Sequence, residues 1–176
     1  ILCHTDLTRL KGYSKSGIDL SRFNWSHFDL VVIDESHNFR NRNEDMEHMS
    51  RYTKLMNDII RKGHGTKVLM LSATPVNNFL SDLKNQISII TADRDYAFEG
   101  TGISSISGLL RKTQQEINVW VGTEGRIKSD LLDKLPTDFY KLLEMITISR
   151  SRKHITGYYG NGSFGKFPEK LPPKTY

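Results

Sequence analysis

The sequence predicts an α/β fold with parallel strands, and three observations lead there. Leu30-Val31-Val32-Ile33 is apolar at every position and runs directly into two acids, Asp34 and Glu35. Lys67-Val68-Leu69-Met70-Leu71 is a second short apolar run, ending in Ser72-Ala73-Thr74-Pro75. Between and after these runs lie stretches with helical spacing, so the order reads strand, helix, strand, helix. A strand that is apolar at successive rather than alternate positions is expected to be covered on both faces, as parallel strands are. Ligands in such sheets sit beyond the carboxyl ends of the strands, where Asp34 and Glu35 fall. Two adjacent acids there can divide labour, one holding a phosphate-borne metal and the other orienting or deprotonating a water. The alternative is an acidic strand end solvated in a loop.

In chain order, Ile1 to His4 reads as the end of a strand and Asp6 to Leu10 as a short helical turn. Lys11 to Asn24, with Gly12, Gly17 and several serines, reads as a loop, and Trp25 to Phe28 lead into the central strand. Asn38 to Asn43 form a polar, basic loop whose asparagines can cap the next helix. The spacing predicts that helix over Asp45 to Lys62, with Met49, Tyr52, Met56, Ile59 and Ile60 on one face and Arg61-Lys62-Gly63 closing it. Met46, Met49 and Met56 read as packing, and His48 and His64, which lack metal-ligand spacing, as surface residues. A second helix is predicted over Asn78 to Ile90, capped by Asn77 or Asn78, with Phe79, Leu80, Leu83, Ile87 and Ile90 inward. Thr91 to Gly108 reads as a loop. A helical, strand-poor region comes next: Ile106, Leu109, Leu110, Thr113, Ile117, Trp120 and Val121 share one face, Ser129 to Leu135 form a short helix, and Pro136-Thr137 start a helix over Asp138 to Ser149. In that last helix Phe139, Leu142, Leu143 and Ile146 are inward.

The 176 residues amount to one domain's worth of chain, and 37% of them are hydrophobic, enough to bury a core. Cys3 is the only cysteine, which excludes an internal disulfide and a cysteine-based zinc site and agrees with a reducing, intracellular compartment. No apolar stretch reaches membrane-spanning length. The net charge of +5 is unevenly placed: residues 1–110 hold 13 Lys/Arg against 13 Asp/Glu, and residues 111–176 hold 12 against 7. Clustered positive charge suits a polyanion such as nucleic acid, and a solvated linker is the other reading.

The two strand ends also carry a family resemblance. VVIDESH followed 38 residues later, from Asp34 to Ser72, by LSATP resembles motifs II and III of superfamily 2 helicases. The continuation Thr74-Pro75-Val76-Asn77-Asn78-Phe79-Leu80-Ser81-Asp82-Leu83 resembles the TPxxNxxxEL run of the Swi/Snf family within that superfamily. ILCHTDLTRL at the start resembles the motif Ib strand and its helix, Ile148 to Ile155 the LRRTKxxV segment, and Lys170 to Tyr176 the LPPKTE segment before the second motor lobe. Ser149, His154 and Tyr176 depart from those patterns, and Ser36 replaces the family's usual alanine or glycine.

The resemblance implies a partial RecA-like P-loop NTPase lobe followed by a helical insertion. Residues 1–95 would be the later half of the first lobe, 96–155 a helical protrusion and 156–176 a linker toward a second lobe. It implies an ATP hydrolase, a DNA translocase or helicase whose track is double-stranded DNA. Asp34 would help hold Mg²⁺ on ATP, Glu35 would activate the attacking water, His37 would contact motif III, and Ser72 and Thr74 would couple nucleotide state to nucleic-acid grip. Arg150, Arg152 and Lys153 would touch nucleic acid or brace the second lobe. No G-x-x-x-x-G-K-[ST] phosphate loop occurs in these residues. With Ile1-Leu2-Cys3 reading as the inside of a strand, the chain is expected to be a piece of a larger protein, without ATP turnover alone and with both acids facing an open cleft. Gly157 to Gly165, with Tyr158, Tyr159 and Phe164, is a glycine-rich link whose aromatics stack on bases or anchor the loop. The reading from another class is a non-catalytic nucleic-acid or protein interaction module on the same scaffold.

Overall fold

The computed structural model describes residues 1–40, 42, 50–74, 79–149 and 157. Two strands, β1 (Leu30–Ile33) and β2 (Lys67–Met70), pair in parallel with Leu30 opposite Lys67 and Ile33 opposite Met70. The chain is therefore α/β, with a small two-stranded parallel sheet and helices around it. It divides into two compact units, residues 1–139 and 140–176. Of the second, residues 140–149 and 157 are described.

The segment before β1 is held by local bonds rather than by a sheet. Ile1 to Cys3 belong to no strand, and a 3-10 turn spans His4–Thr8. The buried Asp6 accounts for that turn: its carboxylate accepts from Cys3 N–H at 2.8 Å and faces the Arg9 guanidinium at 3.2 Å. Both carboxylate oxygens thus have partners, as burial of a charge requires. In the loop after it, Gly12 sits at φ +94° where the Leu20 N–H reaches its carbonyl, and an isolated antiparallel bridge joins Tyr13 to Asp19.

Residues 45–49 of the predicted crossover helix lie outside the described residues, and from Ser50 onward the helix is less regular than its spacing predicts. α1 covers Arg51–Lys54, and its cap is Ser50, whose hydroxyl accepts the Thr53 N–H at 3.0 Å, not one of the upstream asparagines. A π-helical stretch, Leu55–Ile60, continues it, with Arg61 N–H bonding back five residues to the Met56 carbonyl. The wider turn places an additional residue inward, so Leu55, Met56, Ile59 and Ile60 are all buried. Met46, Met49 and His48 lie outside the described residues, and His64 is exposed. Gly63 ends the helix where a Cβ would strike the Ile59 carbonyl and the Thr66 hydroxyl.

One side of the sheet is packed. Ile33 joins Leu7, Phe39, Tyr52, Leu55, Met56, Ile59, Ile60 and Ile89 in the main core, with Val31, Val68 and Met70 against it. On the other side Leu30, Val32, Leu69 and Leu71 remain 46–54% exposed. The expectation of cover on both faces is therefore corrected: the helices of the described residues cover one.

After β2, α2 spans Leu80–Thr91. Pro75, Val76, Asn77 and Asn78 lie outside the described residues, and the N-cap is Phe79, which supplies no side-chain bond. A neighbour substitutes for the cap: Gln114 Oε1 accepts the Leu80 N–H at 3.2 Å. Leu83, Ile87 and Ile89 are buried, whereas Phe79 and Ile90, expected inward, are exposed. α2 ends in two left-handed residues, Ala92 and Asp93, and the Asp93 carboxylate ties Arg61 and Arg42.

α3 (Ile106–Val121) is capped by Ser105, which accepts the Gly108 N–H at 2.9 Å and donates to Asp95 at 2.6 Å. Burial raises the Asp95 pKa, but bonds from Ser105 and Ser107 outweigh it and hold the carboxyl below its ordinary value. Ile106, Leu110 and Thr113 face inward, while Val121, expected there, is exposed. α4 (Lys128–Lys134) and α5 (Thr137–Ile146) fall within a residue or a few of the predicted bounds. Phe139 and Leu142 are buried, as the spacing requires. No helix among the described residues is long and apolar enough to cross a membrane.

Candidate active site

At the carboxyl end of β1 the chain turns sharply, and sheet bonding continues past the strand to hold the turn. Leu71 N–H donates to the Ile33 carbonyl at 2.8 Å, and Ser36 N–H donates to the Leu71 carbonyl at 2.9 Å. The Asp34–Glu35 turn is thus clasped at both sides by the residue before Ser72. Ser36 is buried, with its hydroxyl 3.5 Å from Gln86 Oε1 on α2. A small side chain at position 36 is what lets the turn sit so close to the second strand and α2.

Glu35 adopts a left-handed backbone, φ 48° and ψ 48°, which is uncommon for a residue with a Cβ and costs on the order of 1 kcal/mol. The surroundings impose it. Asp34 Oδ1 accepts the Glu35 N–H at 2.9 Å, and the Glu35 carbonyl accepts both the Asn38 N–H at 3.0 Å and the Asn38 side-chain amide at 2.9 Å. A 3-10 turn, Ser36–Phe39, comes next and is anchored by the buried Phe39, whose ring meets His4 edge-on at 5.0 Å. Asn85 on α2 donates to the Arg40 carbonyl at 2.6 Å and closes the loop onto the second helix.

The acids themselves face solvent. The Glu35 side chain is 59% exposed, and neither the groove between α2 and α3 nor the one beside Pro136 is lined by Asp34 or Glu35. His37 Nδ1 stands 3.1 Å from Glu35 Oε2 without meeting hydrogen-bond geometry. Asp34 uses one oxygen on the Glu35 amide, which leaves Oδ2 for a cation. Such a donor fits magnesium, which takes one or two carboxylates and completes its shell with waters and substrate phosphates. Among the described residues no group of three His, Cys, Asp or Glu is placed to hold a metal ion.

Ser72 and Thr74 follow β2 directly, and the Ser72 hydroxyl accepts the Thr74 N–H at 3.1 Å. The structure therefore brings Asp34, Glu35 and His37 to one end of the sheet with the Ser72–Thr74 turn. Arg150, Arg152 and Lys153 lie outside the described residues. Asn38, Asn85 and the Leu71 carbonyl, which support the turn, carry no sequence signal of that role. Set against known proteins, the chain matches no family model, no curated protein and no solved structure.

Proposed function

We propose that this chain is part of an ATP-driven motor on DNA, the later half of a RecA-like lobe with a helical protrusion, of the Swi/Snf type that the motifs resemble. The observation that supports it most is the clasp between Ser36 N–H and the Leu71 carbonyl. It makes a single unit of the two segments that such a motor must couple, the acidic turn and the Ser72–Thr74 turn. Magnesium carried with ATP would neutralise the phosphates when bound. Asp34 would hold that cation through its free oxygen. Glu35, fixed by the strained turn, orients a water and takes its proton, and His37 sets the carboxylate's direction. A shift of Ser72 or Thr74 reaches Glu35 through the Leu71 clasp, which gives a route from nucleotide state to grip on DNA. Arg150, Arg152 and Lys153 add charge for the phosphate backbone.

The exposure of both acids, away from either groove, favours a second reading, an interaction module without turnover. The two separate in a longer protein containing this chain together with a phosphate-binding loop. Asp34→Asn there is expected to weaken Mg-ATP binding measured by calorimetry, and equal affinity in the variant would favour the module.

A further inference from the structure

A groove of about 410 Å³ lies between the start of α2 and the face of α3, apart from the acidic turn. Leu80 and Leu110 contribute apolar wall, Gln114 bridges the two helices, and Lys84 and Arg111 stand on opposite walls. No carboxylate lines the groove among the described residues and neither cation has one within 4 Å, while the Asp95 carboxylate, outside the groove, feels the Lys84 charge at longer range. Phe79 at its rim is 63% exposed. Two such cations flanking an apolar wall, with an exposed ring beside it, match an anion that carries a flat apolar group. We infer that the groove binds a single strand of nucleic acid, a phosphate between Lys84 and Arg111 and an unpaired base on Phe79. A duplex offers the phosphate but keeps its bases stacked inside, so it cannot lay an unpaired base on Phe79. The inference does not need the motor: it rests on the groove alone.

The test is fluorescence anisotropy of a labelled 12-nucleotide oligo-dT with the 176-residue chain, over a salt series and beside a duplex of equal length. K84A/R111A is expected to flatten the slope of log affinity against log salt by about 0.7, the contribution of the one phosphate held between the two cations on a single strand. F79A is expected to weaken oligo-dT binding about tenfold with the slope unchanged, and to leave duplex binding alone. All three side chains stand at the surface, so thermal melting of the variants should match the wild type and separate binding from folding. An unchanged slope in K84A/R111A, equal affinity in F79A, or a poly-glutamate peptide displacing oligo-dT at lower concentration than unlabelled oligo-dT would each overturn the inference. Loss of the groove would leave the acidic turn's reading untouched, because neither Asp34 nor Glu35 lines it.

Discussion

The two faces of the β1–β2 sheet are alike in composition and opposite in fate. Val31, Ile33, Val68 and Met70 point into the main core, while Leu30, Val32, Leu69 and Leu71 on the other side stay half exposed. Uniform apolarity along a strand says that both faces suit burial, and it does not say which element does the covering. The covered face is closed by the π-widened helix after α1 and by Ile89 of α2, so its residues should carry the stability. The open face should carry little.

The largest expected effect tests the covered side. Phe39→Ala, at a fully buried position beneath the acidic turn, is expected to cost about 3–5 kcal/mol in urea unfolding. A cost near 1 kcal/mol would mean that the turn does not rest on this core. Next comes Lys54, buried on the same side, its ammonium 2.7 Å from Asp58 and 5.1 Å from the centre of the Trp25 ring. Asp58→Asn leaves that charge without its counter-ion and should cost about 2 kcal/mol, whereas Lys54→Met should be near neutral. Bonds from Lys54 and then Lys62 hold the Asp58 carboxyl below its ordinary pKa. A lowered carboxylate stabilises the fold above its unfolded pKa, and that contribution is lost as pH falls through the lower folded value. The variant should therefore lose stability at neutral pH while showing a weaker decline below about pH 4 than the wild type. An identical acid limb in the two proteins would show that the pair contributes nothing.

Val32→Ala, on the open face, should cost under about 1 kcal/mol. A loss as large as that of Ile33→Ala in the same assay would show this face to be covered in solution. The smallest effect lies where the two faces end. Glu35→Gly is expected to hold or raise stability by up to about 1 kcal/mol, since relief of the left-handed strain offsets glycine's unfolded-state entropy. Glu35→Ala keeps the strain and should gain nothing. A clear loss on Glu35→Gly would mean that the side chain's contact with His37 holds the turn together.

Where the sequence was legible, a repeating physical signal carried it. α4 and α5 lie close to their predicted bounds because Pro136 and the spacing of Phe139 and Leu142 leave little freedom in start or phase. The parallel strands and their acidic end were legible for a similar reason, since an apolar run broken by charge is a local pattern. The misses came from long-range partners. Ile89 rather than Ile90 is buried because helix phase depends on what α2 packs against, and the π stretch shifts phase in a way that 3.6-residue spacing does not encode. The cap from Gln114 to Leu80 spans 34 residues and has no local signature. The site divides in the same way: Asp34 and Glu35 announce themselves, but the left-handed backbone of Glu35 depends on Asn38 and on Leu71 across the sheet.

The most direct test of the central claim is ATP turnover and ATP binding, measured together, for Glu35→Gln in a longer protein that contains this chain and a phosphate-binding loop. Removing the base while keeping the side chain's shape should lower turnover by about 10²–10⁴-fold and leave Mg-ATP affinity unchanged. Turnover near the wild-type rate, with affinity intact, would contradict the assignment of Glu35 and with it the motor reading of the clasped turn.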